Sequence, residues 1–226
     1  MKEMNFDVQA MLGAFPILIK YIPITIMMAV VSMIFAIIMG YAIAMLTKNR
    51  TPVIYQLASL YSSFFRGTPT LVQLFLIYYG LPQLFPSFSA MDSLTAAIIG
   101  LSLKNSAYLA EIFRAALNSV EKGQLEACLS VGMTKAQAFR RIILPQAIRN
   151  AIPATGNTFI ALVKETSLAF TLGVAELFAE GKMIATASLK FFETYSAIAI
   201  VYWVLTIIYS FLQELLERKL SKPYKS

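Results

Sequence analysis

The chain has 226 residues, of which 58% are hydrophobic and 14% charged, and its mean hydropathy is +0.68. Soluble domains carry about a quarter charged residues, so this composition indicates a lipid bilayer as the solvent. No histidine is present, which excludes His-based catalytic triads and His-metal sites, and the single Cys128 excludes a disulfide within the chain. The net charge of +7 at pH 7 has to be interpreted by the side of the bilayer on which the basic residues lie.

The first 20 residues mix the charged side chains of Lys2, Glu3, Asp7 and Lys20 with apolar residues, and Pro16 interrupts them. We expect residues 1–20 to form an interfacial segment. The acidic residues near the start argue against a cleaved signal peptide, so we expect the segment to be retained.

About five membrane spans are predicted, which makes the fold an all-α membrane protein. The clearest span, 21–46, has no charged residue and exceeds the roughly 20 residues that cross about 30 Å of hydrocarbon. Residues 53–81 are predicted as one helix, kinked at Arg66-Gly67-Thr68-Pro69, because proline lacks a backbone donor and disfavours helix before it. A Pro- and Ser-rich loop follows. The remaining predicted spans are 94–117, 151–173 and 195–216, with a mixed loop before the last span and a basic tail over 218–226.

Basic residues are distributed unequally between the two sides that five spans define. The richer side is predicted to be cytoplasmic, with the N terminus outside and the C terminus inside. Because these charges are spread over several loops and do not form one basic face, nucleic acid is excluded as a partner. The richer side holds Lys48, Arg50, Arg66, Arg114, Lys122, Lys135, Arg140, Arg141, Arg149, Arg218, Lys219, Lys222 and Lys225, and the other side holds Lys2, Lys20, Lys182 and Lys190.

Charged side chains also occur within the predicted spans. Such a group costs at least about 2.5 kcal/mol near the bilayer centre, so it usually pairs, faces a cavity or acts in transport. Glu111 and Arg114, three residues apart, are predicted to form a packing or gate ion pair near the cytoplasmic end. At the break, Arg66 and Thr68 lie where freed backbone groups could hold a ligand. The alternative is a simple kink with Arg66 extending to the inner headgroups.

The longest predicted non-spanning segment is 118–150. A short helix is expected over 124–131, ended by Gly132, the residue type that most easily adopts the left-handed cap conformation. Thr134 precedes Gln137 by three residues, the spacing of a capping box, so a second helix should begin there. Pro145 is expected to stop that helix.

The spacing within this segment resembles the EAA signature of bacterial ABC importer permeases. Glu126-Ala127-Cys128 is followed by Gly132 and then by Leu144-Pro145, with Cys128 in place of the second alanine. Further stretches are similar to the polar amino-acid permease family: FRGTPTLVQLFLIYYGLP, YLAEIFRAALNSVEKGQLEA, FRRIILPQAIRNAIPATGN and LVKETSLAF. The resemblance covers most of residues 20–217.

This resemblance implies a type I ABC importer permease fold in a bacterial inner membrane. It implies pairing with itself or a homologous permease, docking on cytoplasmic ABC ATPase subunits, delivery by an extracytoplasmic solute-binding protein, and an amino-acid substrate. The helix from Glu126 to Gly132 would be the coupling helix, and Leu144 and Pro145 complete the coupling signature. ATP and Mg would be bound by the partner ATPase, since Gly181-Lys182 is followed by methionine and forms no Walker sequence. No cofactor is expected on this chain, which would be a transport subunit and no enzyme.

By the same resemblance, a substrate site lies on the fourth span. Lys164 and Glu165 supply the two charge signs that an amino-acid zwitterion needs. Adjacent helical residues point about 100° apart, so they could clamp one ligand only at a local break. An interhelical ion pair that fixes packing is the alternative. Many relatives carry an acid where Asn157-Thr158 stands here, so Thr158 favours a neutral polar or sulfur amino acid such as glutamine or cystine over a cationic one.

Two other functional classes also use multi-span chains with charged residues in the membrane. A secondary transporter or channel would also use intramembrane charges and would need no ATPase, but the odd span number and the EAA spacing argue against it. A membrane enzyme is disfavoured because no nucleophile and base, and no metal-binding cluster, accompany the intramembrane groups.

Overall fold

The structure is a computed structural model that describes residues 6–48 and 51–221, and every regular element in those residues is a helix. The all-α prediction is confirmed for this part of the chain. Lys2, Arg50, Lys222 and Lys225, which entered the topology prediction, lie outside the described residues. The helices are α1 Val8–Lys48, α2 Pro52–Gly67, α3 Thr70–Leu84, α4 Ser93–Asn118, α5 Lys122–Ser130, α6 Lys135–Leu172, α7 Leu177–Ser188 and α8 Phe191–Ser221.

The chain forms two compact units. The first unit contains Met1–Met33, Pro69–Leu101 and Ile160–Ser210, and the second contains Ile34–Thr68, Ser102–Phe159 and Phe211–Ser226. Each unit therefore combines segments that are far apart in the sequence, and α1, α4, α6 and α8 each contribute residues to both.

Helix α1 begins directly after Asp7, whose Oδ1 accepts a hydrogen bond of 3.0 Å from the Ala10 N–H. It continues through Pro16 and Pro23 to Lys48. The predicted boundary between residues 20 and 21 is therefore not a boundary between two elements. The residues on both sides are apolar enough to continue one helix, and each proline removes only one backbone donor. The interfacial position of residues 1–20 stays a prediction.

The single kinked helix predicted over 53–81 was wrong, because two separate helices occupy that stretch. Helix α2 ends at Gly67, and Thr68 and Pro69 are extended with ψ angles of 149° and 137°. Proline disfavours the α conformation of the residue before it, so Thr68 leaves the helix. The Thr68 N–H and hydroxyl both donate to the Phe64 carbonyl, at 3.1 and 2.8 Å, and cap the end.

Helix α4 covers the predicted span 94–117 and extends one residue beyond it at each end. Asp92 caps its N terminus: the Thr95 N–H donates to one carboxylate oxygen at 2.9 Å, and the Thr95 hydroxyl to the other at 2.7 Å. These hydrogen bonds hold the pKa of Asp92 below its ordinary value. The loop before α4 is shorter than predicted, because α3 continues to Leu84 and a 3₁₀ turn covers Pro86–Phe88.

Helix α6 continues past Pro145, so the prediction that this proline ends it was wrong. The helix contains a π-helical turn at Phe139–Ile143, in which the Leu144 N–H donates to the Phe139 carbonyl, five residues back. Because this turn changes the hydrogen-bond pattern directly before Pro145, the missing proline donor is accommodated. The helix then extends to Leu172, and Gly173, with φ of 91°, ends it.

The mixed loop predicted before the last span contains a 12-residue helix, α7. Glu176 caps its N terminus, and Leu189, with a positive φ of 57°, follows its C terminus. Helix α8 then begins at Phe191, four residues before the predicted span, and includes the first part of the predicted tail.

Two helices in the described residues are long and apolar enough to cross a membrane, α1 and α8. A third span would be α6 with α7, taken together as one segment bent by 57°. The predicted span 53–81 is divided by its break, and α4 carries polar residues such as Lys104 and Asn105 that lower its hydropathy.

In the first unit, α1, α7 and α8 pack around Leu18, Leu177 and Ile198. A Cβ on Gly181 of α7 would lie only 2.2 Å from Ile198 Cδ1. The absence of a side chain at Gly181 therefore permits the close approach of α7 and α8, as is common between membrane helices.

The second unit uses glycine in the same way. A Cβ on Gly40 of α1 would lie 2.8 Å from Leu109 Cβ of α4. A Cβ on Gly156 of α6 would lie 2.2 Å from Gln213 Cδ of α8, and Gln213 Nε2 donates to the Pro153 carbonyl at 3.2 Å. The Gln213 side chain thus lies directly on the backbone of α6.

Candidate functional site

The segment that connects α4 to α6 is built around α5 and the turn that ends it. The Met133 N–H donates to the Cys128 carbonyl and the Gly132 N–H to the Leu129 carbonyl, both at 3.0 Å. Gly132 has φ of 81°. These two hydrogen bonds and the left-handed residue form a Schellman motif, which satisfies carbonyls at the helix end. Gly132 therefore lies at the position that its sequence context predicted.

Thr134 begins α6 with the predicted capping box. The Thr134 N–H donates to Gln137 Oε1 at 2.9 Å, and the Gln137 N–H donates to Thr134 Oγ1 at 3.2 Å. One turn separates α5 from α6, and Leu144 and Pro145 follow the π-helical turn of α6. The two parts of the EAA-like signature thus lie on two successive helices of one unit.

The surface of α5 is partly acidic and partly apolar. Glu126 and Ala127 are exposed, as are Leu129 and Val131, at 41% and 76% of their surface. Cys128 is buried, with 7% of its surface accessible, so it packs within the segment and is not presented to a partner. An acidic side chain beside exposed apolar ones is suited to a protein interface.

A hydrogen bond joins the two ends of this segment. Asn150 Nδ2 on α6 donates to Ser119 Oγ, directly after α4, at 2.8 Å. The residues between them, which include every predicted coupling residue, form a closed loop anchored on two longer helices. We call residues 118–150 the coupling segment.

Lys164 and Glu165 are the last residues of the α-helical part of α6, before a 3₁₀ turn over Thr166–Leu172. The helix therefore changes geometry at the predicted substrate pair. Lys164 is exposed, whereas Glu165 is half-buried. The Thr166 hydroxyl is buried and donates to the Val163 carbonyl at 2.7 Å.

Asn157 and Thr158 lie two turns earlier on the same helix. Asn157 is exposed and Thr158 half-buried. The Thr158 hydroxyl donates to the Ala154 carbonyl at 2.9 Å, so its donor is used within the helix. Its oxygen can still accept a hydrogen bond.

Arg66, Glu111 and Arg114 meet in the second unit. Arg114 donates to Glu111 Oε2 from Nε at 3.0 Å and from Nη2, and Arg66 Nη1 lies 3.7 Å from Glu111 Oε1. One carboxylate therefore contacts two guanidinium groups, a triad that the sequence predicted only as the pair of Glu111 and Arg114. The three side chains line a cavity of about 470 Å³. Thr68 is half-buried at the helix break.

Glu176 lies in the mixed loop that was predicted before the last span, and no role was predicted for it. Its side chain has no accessible surface. The carboxylate accepts hydrogen bonds from the Ala179 N–H at 2.7 Å, the Tyr202 hydroxyl at 3.2 Å and the Thr25 hydroxyl at 3.5 Å. Glu176 therefore joins α1, α7 and α8. One signal in the sequence could have indicated the capping role of Glu176: an acidic residue directly precedes the apolar run that begins at Leu177, which is a typical N-cap position.

Long apolar helices, charged groups among them and an exposed short helix between α4 and α6 are typical of a multi-helix membrane transport component. The family described as binding-protein-dependent transport system inner membrane component matches residues 32–222. The chain belongs to this family of ABC transporter permeases.

Individual relatives agree with this membership. The chain is 74% identical over 222 residues to the probable amino-acid permease protein YxeN of Bacillus subtilis, covering 98% of this chain and 99% of that one. It is 40% identical to the L-cystine transport system permease protein TcyL of Bacillus subtilis, covering 97% and 94%. A solved amino acid ABC transporter with histidines is similar at a TM-score of 0.86 and 38% identity, covering 96% and 100%.

The predicted membership of the polar amino-acid permease family and the type I permease fold are thus confirmed. The permeases of this family are membrane transport components and not enzymes.

Proposed function

We propose that the chain imports a neutral polar or sulfur amino acid, such as glutamine or cystine, as the permease subunit of an ATP-driven transporter. A solute-binding protein delivers the amino acid from outside, and cytoplasmic ATPase subunits bind ATP and Mg and supply the energy. The permease pairs with a second copy or with a homologous permease. Its N terminus lies outside and its C terminus in the cytoplasm.

The observation that carries this proposal is the exposed end of α5. Glu126, Ala127 and Leu129 are exposed on α5 and Val131 directly after it, in a segment whose two ends are joined by a hydrogen bond. Apolar groups can pack in a cleft of the ATPase while Glu126 pairs with basic groups there. Movement of the ATPase would then be transmitted through α6, which extends from Lys135 to Leu172.

The proposed amino-acid cargo is supported by two oppositely charged residues on α6. Lys164 and Glu165 offer one cation and one anion at the position where α6 changes from α to 3₁₀ geometry, which is a local break of the kind that a shared ligand would need. An amino acid needs both charges, for its carboxylate and its ammonium group. Thr158 and Asn157 add neutral polar groups, so no second acid is available on this turn for a cationic cargo side chain. TcyL, named for L-cystine, fits this assignment, whereas the transporter solved with histidines shows that relatives differ in cargo.

The test is ATP-driven uptake in proteoliposomes that contain the permease with its ATPase and binding protein. We expect Glu126→Lys to reduce uptake and ATPase association together. We expect Lys164→Ala and Glu165→Ala to abolish uptake while the complex still assembles, and Lys20→Ala, which removes an exposed lysine from α1, to leave uptake unchanged.

Two results would overturn the proposal. Uptake driven by an ion gradient, without any ATPase, would indicate a secondary transporter. Normal uptake by both the Lys164 and the Glu165 variants would remove these residues from the substrate pathway, and competition among glutamine, cystine, arginine and histidine would then have to define the cargo.

A further inference from the structure

The cavity in the second unit combines positive charge with hydroxyl groups. Arg66, Glu111 and Arg114 lie along its wall with Ser59, Ser62 and Ser63. The charged side chains sum to one net positive charge. Each guanidinium carries five N–H donors, more than one carboxylate can accept, so donors are available for another acceptor.

A third basic side chain, Lys104, lies beside this cavity and adds to its positive charge. Arg66 Cζ lies 5.8 Å from the centre of the Tyr108 ring, and Lys104 Nζ lies 5.3 Å from the same centre. The guanidinium groups remain accessible, since 46% of the Arg66 side chain and 52% of the Arg114 side chain are exposed. A compact anion could therefore enter the cavity and contact the two guanidinium groups.

The opposite face of α2 is apolar and exposed. Val53, Leu57 and Leu60 are exposed at 67%, 64% and 68% of their surface, and Phe64 at 44%. In a membrane protein this face would contact lipid acyl chains. Arg66 lies in the last turn of the same helix, where the anionic headgroup of such a lipid could reach the cavity.

We propose that this cavity binds the phosphate headgroup of an anionic phospholipid, with Arg66 and Arg114 as ligands and Glu111 as an internal competitor. Arg66 is thereby assigned to a lipid and not to the cargo. The proposal does not depend on which amino acid is imported. A free anion shares the same chemistry, but it would not use the apolar face of α2.

The experiment is native mass spectrometry of the full-length chain in detergent with phosphatidylglycerol or phosphatidylcholine of identical acyl chains. Phosphatidylglycerol should bind preferentially to the unsubstituted chain. Arg66→Gln and Arg114→Gln should each weaken its binding about fivefold, the effect of one basic group near an anionic headgroup. Arg218→Gln, which removes an exposed arginine paired with Glu214 on α8, should have no effect.

Glu111→Gln is the decisive variant, because it should strengthen phosphatidylglycerol binding about fivefold. Partial unfolding would weaken binding in every variant and could not produce opposite signs. The proposal is overturned if the arginine variants bind phosphatidylglycerol as the unsubstituted chain does, or if Glu111→Gln weakens binding. It is also overturned if inorganic phosphate displaces the lipid at equal concentration, since the site would then recognise a free anion.

Discussion

The Tyr202 hydroxyl on α8 donates a hydrogen bond of 3.2 Å to Glu176 Oε2, which belongs to a fully buried carboxylate at the start of α7. Thr25 on α1 donates to the same oxygen and accepts from the Leu177 N–H at 3.2 Å. Three helices of the first unit therefore meet at one acidic side chain. The carboxylate accepts hydrogen bonds from Thr25, Ala179 and Tyr202. Removing it should therefore lower the stability of the protein, because these buried donors would be left unsatisfied.

We expect Glu176→Gln to lower the free energy of unfolding by about 1–3 kcal/mol, since an amide nitrogen would face hydroxyl groups that now donate to an oxygen. The measurement is thermal unfolding of the purified chain in detergent. Glu180→Gln, on the same helix, is the matched control. Equal melting temperatures for the two variants would contradict a structural role for Glu176.

Gly132→Ala should destabilise the end of α5, although no atom lies within 4 Å of the new Cβ. The cost is conformational, because an L-residue in the left-handed region loses about 1–2 kcal/mol. We expect weaker ATPase association, measured by co-purification.

The control for Gly132 is Gly123→Ala, within α5, where the space around the new Cβ is also open. There alanine should stabilise the helix by about 0.5–1 kcal/mol. If both alanine variants changed ATPase association in the same direction, the left-handed turn would not explain the effect.

Gly156→Ala should disturb the contact of α6 with α8, because its Cβ would lie 2.2 Å from Gln213 Cδ. Because these atoms end a flexible side chain, Gln213 can swing aside, and the cost is about 0.5–1.5 kcal/mol from its lost hydrogen bond to the Pro153 carbonyl. The double variant Gly156→Ala with Gln213→Ala should be no less stable than Gln213→Ala alone, measured as a double-mutant cycle of thermal stability. Strictly additive losses in the two single variants would show that the two sites do not interact.

Thr158→Glu should extend the cargo range toward cationic amino acids, since it adds an acid that could pair with a cationic side chain on the proposed substrate pathway. The expected result is that arginine competes for uptake in the variant and not in the unsubstituted chain. Thr158→Val, of similar size, controls for loss of the hydroxyl. Unchanged competition by arginine in the Glu variant would remove Thr158 from the substrate pathway.

Local signals in the sequence were sufficient where the interacting groups are close along the chain. Thr134 and Gln137 form their capping box because both partners lie within one helical turn. Gly132 adopts its left-handed conformation for an equally local reason, because the hydrogen bonds that end α5 require that conformation at this position. The EAA-like spacing, read from the same short segment, was sufficient to identify the permease family.

Prolines show where local rules become insufficient. Pro69 follows Thr68 and separates α2 from α3, whereas Pro145 lies within the continuous helix α6. A π-helical turn precedes Pro145 and changes the hydrogen bonds there, while α1 continues through Pro16 and Pro23, so a proline alone does not predict where a helix ends. The composition around Pro145 does not indicate that turn.

The sequence by itself determined that the chain belongs in a bilayer, which family it joins and where its short caps lie, because these properties depend on composition and on neighbouring residues. Only the tertiary structure decided that Glu176 is a buried junction, that Gly156 receives Gln213 and that Arg66 shares Glu111 with Arg114. Thr25 and Glu176 are 151 residues apart, and Tyr202 and Glu176 are 26 apart. A buried carboxylate is stable only where several helices bring donors to it, and that meeting is a property of packing that residue order does not reveal.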